Sequence, residues 1–283
     1  MSTVLDVALP ALFVIVVWWA STGAIFYANG RPRRTQHWSL AGIVGLAVLA
    51  DYAILFTRND PGPLEAAIAF AAAIAIWGLI EMTFLMGYIT GPRRTVCPPD
   101  TTPGQRFRFA CLAIAHHEIA ILATLALIGW QTAGAANFVA AGTFGLLWLM
   151  RLSTKLNLFF GVPNTAAELL PPQIAYMKSY FRRAPMSGFF PVSVTATSIV
   201  TCVLALRAAA APAAGFEITS YAMLAALSAL GMIEHWFLVL PIPAQTLWGW
   251  SLEGRARPDP MPTDTKVTKR RLDTIRPLTL PQP

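Results

Sequence analysis

The chain has 283 residues, of which 55% are hydrophobic and only 12% charged, with a formal net charge of +7 and a mean hydropathy of +0.55. Soluble domains carry about 25% charged residues, so this composition excludes an ordinary soluble enzyme and places the chain in a lipid bilayer. The apolar residues run along nearly the whole length, which excludes one anchor bearing a large soluble domain and predicts an all-α, polytopic bundle of transmembrane helices.

A spanning helix needs about 20 mostly apolar residues, and the sequence predicts seven of them. The first, 7 to 28, has only Asp6 ahead of it and Arg31, Arg33 and Arg34 behind. With no basic segment before the apolar run, it reads as an uncleaved helix and not a removed signal peptide. The second to fifth are predicted at 39 to 57, 64 to 90, 107 to 130 and 136 to 160. The breaks "NGRPRR", "RNDPGP", "TGPRRTVCPPDTTPGQ", "QTAGAAN" and "GVPN" combine Gly, Pro and Asn as helix stops. "GRPRRT" at 30 to 35 and "TGPRRT" at 90 to 95 read as one stop signal used twice, with an internal hairpin duplication as the alternative. Next comes "TAAELLPPQIAYMKSYFRR", where Thr165 and Glu168 have capping-box spacing. Ile174, Met177, Tyr180 and Phe181 recur at helical intervals beside Lys178, Arg182 and Arg183. That pattern predicts an interfacial amphipathic helix over 165 to 183. The sixth and seventh spans are predicted at 188 to 210 and 217 to 240, and the Pro-, Thr- and Lys/Arg-rich tail from 251 to 283 is expected to be disordered. Residues 1 to 250 therefore form the membrane bundle, and the interfacial helix and tail offer docking surfaces.

With seven spans, all but Arg58 and Arg207 of the 21 lysines and arginines fall toward one side. The positive-inside rule then puts the N-terminus outside and the C-terminus in the cytoplasm. The basic excess is thus an orientation signal with attraction to anionic membrane lipid, not a nucleic-acid surface. Cys97, Cys111 and Cys202 make neither a disulfide framework nor a CxxC metal site.

Ionisable residues inside hydrocarbon cost several kcal/mol unless they pair, snorkel or become neutral. Counted along the helices at about 1.5 Å per residue, Glu81, His117, Arg151, Lys155 and Glu234 fall in one layer near the cytoplasmic side, with Asp51 separate. Three readings stay open. A self-contained polar network would balance Glu81, Glu118 and Glu234 with Arg151 and Lys155 and with protons on His116, His117 or His235. A transition-metal site could draw on Glu81, His116, His117, Glu118, Glu234 and His235, although the Glu-x-x-His spacing of di-iron bundles is absent. His117 or His235 could also ligate the metal of a tetrapyrrole, with Trp77 and Trp148 supplying flat aromatic surface.

The blocks "WWASTGAIFYANGRPRRT", "WGLIEMTFLMGYITGPRRT", "HHEIA", "MRLSTKLNLFFGVPN", "MKSYFRR" and "EHWFLVLP" resemble, in order and spacing, the PuhE family of phototrophic bacteria, known as photosynthetic complex assembly protein 2. The resemblance covers roughly residues 10 to 250. It implies an inner-membrane assembly or regulatory factor that affects reaction-centre assembly or bacteriochlorophyll supply. The implied partners are reaction-centre or light-harvesting subunits, or pigment-synthesis enzymes. It implies no catalytic residue, so the Glu and His candidates rest on depth alone. A membrane-bound metal-dependent oxidoreductase acting on a pigment precursor is the alternative function, and a transporter the third.

Overall fold

Apolar runs closed off by Pro and Gly become long helices. In a computed structural model describing residues 2–212, 215–242 and 244–252, they are α1 (Ser2–Gly30), α2 (Arg33–Thr57), α3 (Pro63–Leu85), α4 (Pro103–Gln131), α5 (Val139–Phe160), α6 (Phe189–Ala210) and α7 (Phe216–Phe237). The expected disordered tail lies outside the described residues beyond Leu252. Local chemistry fixes the ends: α4 opens with a capping box in which Thr102 and Gln105 satisfy each other's backbone N–H, and α5 stops at Gly161, whose φ of 126° favours glycine.

Six of these helices, all but α5, are long and apolar enough to cross a membrane. The remaining helix, α5, carries Arg151 and Lys155, which lower its hydropathy although it packs among the others. The bundle is built around α3, whose Ala-rich face lets α1, α2, α4, α5 and α7 approach closely, while α6 lies against α7. Phe70, Ile121, Ile128, Phe144 and Met223 form its buried core. Large apolar side chains such as Leu9, Val48, Leu49, Ile119, Ile199 and Leu206 point outward, an arrangement suited to acyl chains and unsuited to water.

Two connections differ from the expected helices. The third helix ends at Leu85, not near residue 90. The following "GYITGPRR" continues as a strap along α4: the backbone N–H of His117 donates to the Thr90 carbonyl at 2.9 Å, and that of Arg93 to the Leu112 carbonyl at 3.4 Å. A Cβ on Gly91 would stand 2.1 Å from the Leu112 carbonyl oxygen, so only glycine permits this approach. The second PRR block is therefore a packed strap, whereas the first is a short link between α1 and α2.

The interfacial α-helix expected over 165 to 183 is instead a loop with 3-10 turns at Ala167–Leu169 and Pro172–Tyr180. Two consecutive prolines after Leu170 remove backbone donors, and Ala166 sits at a φ of 46°, so no α-helix can run through. The loop is closed at its base by a bridge between Val162 and Arg183. Its apolar residues still turn inward: Ile174 and Met177 pack on Phe84. Tyr180 ties the loop to the strap, accepting from Arg93 Nε at 2.9 Å and donating to the Thr95 carbonyl at 2.9 Å. Arg106 donates to the Tyr180 and Phe159 carbonyls. Asn164 joins the loop to the end of α7 through the Leu238 and Phe237 carbonyls.

Candidate functional site: a charged layer beside an apolar cavity

The strap lets Glu81 meet its partners only four residues before α3 ends. Its carboxylate is buried, with Oε2 accepting from Arg151 Nη2 of α5 at 2.9 Å and Oε1 3.7 Å from His117 Nε2 of α4. One turn further along α5, Lys155 Nζ donates to Glu118 Oε1 of α4 at 2.5 Å. Neighbouring helix positions point about 100° apart, and "HHE" divides accordingly. His117 is buried toward α3 with its ring 4.2 Å from that of Phe84, Glu118 reaches α5, and His116 is exposed on the outer face and joins neither pair.

On α7, Glu234 stands beside the Trp18 indole of α1 and within electrostatic reach of Arg151 and Glu81. Its neighbour His235 turns away and is wholly buried. The His235 Nδ1 meets the Gly231 carbonyl at 2.7 Å and its Nε2 meets Ser153 Oγ at 2.8 Å. The structure thus brings together Glu81, His117, Glu118, Arg151, Lys155 and Glu234, and leaves out His116 and His235. Asp51 is separate, as expected, accepting from Gln131 Nε2 at 2.9 Å.

A cavity of about 330 Å³ opens beside this layer, among α1, α3, α4, α5, α7 and the loop after α5. Trp18, Phe26, Trp77, Phe84, Met150 and Leu227 supply much of its apolar wall, and Glu81, Arg151, Lys155 and Glu234 its charges. Thr165, Ala166, Leu169, Leu170, Met177 and Phe181 bring the loop over one end. The size lies at the lower end of ordinary small-molecule pockets, which combine apolar walls with a few placed polar groups. Glu81 Oε1, Arg151 Nε and both ring nitrogens of His117 are buried without a hydrogen-bond partner.

The expected cofactors fit this arrangement poorly. Among the described residues no three His, Cys, Asp or Glu side chains converge as a metal-ligand set. The His235 ring has an N–H on the Gly231 carbonyl and a lone pair on the Ser153 hydroxyl, so no nitrogen is left for an axial bond. His117 keeps both nitrogens free but does not line the cavity, and its ring is enclosed by Phe84 and Glu81. Sequence reasoning missed Trp18, Ser153 and the buried Asn157, which donates to Ser193 Oγ at 2.9 Å. The polar spacing of Ser153 and Asn157, one turn apart in "RLSTKLN", was the available signal.

The sequence profile of a family described as a protein of unknown function (DUF3623) matches residues 4–259. The chain is also 38% identical, over 248 residues, to a Rhodobacter capsulatus protein named as an uncharacterized 30.4 kDa protein in the puhA 5′ region; the match covers 86% of this chain and 90% of the relative. No solved structure matches.

Proposed function

Since the chain belongs to the DUF3623 family of proteins of unknown function, we propose that it is a multi-pass inner-membrane factor for the bacterial photosynthetic apparatus, and that its finer identity is the PuhE family. The observation that carries this reading is the near-full-length similarity to a relative named for its place 5′ of puhA, a reaction-centre gene region. The family profile runs from within α1 past the end of α7, and the relative matches 86% of the chain, so most of the bundle is what the two proteins share.

On this reading all seven long helices cross the bilayer, α5 included, because its two cations are paired with carboxylates of α3 and α4. The N-terminus lies outside, and the basic strap and loop face the cytoplasm. The protein acts through contacts within the membrane, with reaction-centre or light-harvesting subunits or with pigment-synthesis enzymes. The cavity beside Arg151 is its binding element.

The test is a deletion strain complemented with an affinity-tagged copy. Deletion is expected to lower reaction-centre or light-harvesting complexes, or their pigment, at least severalfold in the membrane absorbance spectrum. The tagged protein is expected to co-purify with subunits of those complexes or with pigment-synthesis enzymes. Normal complexes and normal pigment in the deletion strain would overturn the reading.

A further inference from the structure

We propose that the cavity binds an organic ammonium: a small amphiphile whose protonated amine meets the Glu234 and Glu81 carboxylates and whose apolar body lies against Trp18, Trp77 and Phe84. The argument begins with charge. Three carboxylates, Glu81, Glu118 and Glu234, surround two permanent cations, Arg151 and Lys155. Lys155 is taken up by Glu118 and Arg151 by Glu81, at 2.5 and 2.9 Å. Glu234 lines the cavity beside the Trp18 indole and within the field of Arg151. The carboxyl groups therefore outnumber the cations by one where the surroundings are apolar, and an ionised carboxylate there calls for a counter-charge.

Hydrogen-bond capacity points the same way. Glu81 is 4% exposed and borders the cavity, yet its Oε1 has no donor. A vacant acceptor on Glu81, with Glu234 lining the same cavity, suits a ligand rich in N–H, and a primary ammonium brings three donors and one positive charge. An anion could reach the unpartnered Arg151 Nε but would add to the carboxylate excess, and a neutral head would leave that excess in place. The walls add a further preference. Indole and phenyl faces attract cations, and Trp18, Phe26, Trp77 and Phe84 all line this space.

The inference goes beyond the photosynthetic role, and the two fail separately: one is read in cells lacking the protein, the other in purified protein alone. The experiment is calorimetric titration of the full chain, in a neutral detergent at pH 7, with hexylammonium, hexanol and hexanoate. Their apolar bodies match and their heads carry positive, zero and negative charge. Saturable binding of hexylammonium is expected, at least tenfold tighter than hexanol, with hexanoate weakest. In Glu234→Gln the preference for hexylammonium over hexanol should fall at least fivefold, while Arg207→Gln at a distant surface leaves it unchanged. Hexanol or hexanoate binding as tightly as hexylammonium, or no saturable hexylammonium binding, overturns the proposal. The order of the three probes on the unaltered protein decides it even if Glu234→Gln does not fold.

Discussion

Tyr180 and His117 are both buried, and they contribute in opposite ways. The Tyr180 hydroxyl accepts from Arg93 Nε and donates to the Thr95 carbonyl, so Tyr180→Phe keeps the shape and strands a charged donor. The expected cost is about 1 to 3 kcal/mol. His117 makes no side-chain hydrogen bond, so its ring serves mainly as volume between Phe84 and Glu81. The roughly volume-conserving His117→Leu should cost less than about 1.5 kcal/mol. Thermal unfolding in detergent compares the two; a larger loss for His117→Leu would contradict this account and assign the imidazole an electrostatic task. Ionisable letters in an apolar run were legible in the sequence. Which of the adjacent His116 and His117 faces inward was not, because that depends on how α4 is rotated against α3 and α5.

At the scale of elements, hydropathy identified the long helices but could not separate a helix from a strap of equal apolarity. "MGYITG" reads as the continuation of α3, yet Leu85 ends the helix and Gly91 lets the following chain lie on the α4 backbone. Gly91→Ala should destabilise by about 1 to 3 kcal/mol, since its Cβ would enter the Leu112 carbonyl. Gly42→Ala on α2, where nothing lies within 4 Å of the added carbon, should instead stabilise by about 0.5 to 1 kcal/mol. Opposite shifts in the unfolding midpoint are expected, and equal shifts would count against the strap. The loop after α5 kept the apolar periodicity that suggested a helix, because Ile174 and Met177 do pack inward. Its paired prolines decided the backbone.

For the whole molecule, an all-helical bundle was legible because apolar content and helix stops alternate along nearly the full chain. The cavity was not, since it arises from how six separate segments fail to fill one space. Sidedness, proposed from the basic residues, can be tested with the natural cysteine of the loop between α3 and α4. In a Cys111→Ala/Cys202→Ala background, a membrane-impermeant maleimide should label Cys97 in inverted vesicles and not in right-side-out ones. The reverse pattern would invert the orientation.

The account depends most on a partly buried ion pair joining α3 to α5. Arg151 and Glu81 meet at 2.9 Å, with the guanidinium side chain 38% and the carboxylate side chain 5% exposed, so removing Arg151 leaves a buried carboxylate without its closest cation. A double-mutant cycle of Glu81→Gln and Arg151→Met, read as unfolding free energy in detergent, measures that coupling directly. The expected result is about 2 to 3 kcal/mol of favourable coupling, with the double variant more stable than the sum of the single losses implies. Single losses that add to within about 0.5 kcal/mol would mean that the two side chains do not meet, and would contradict the account.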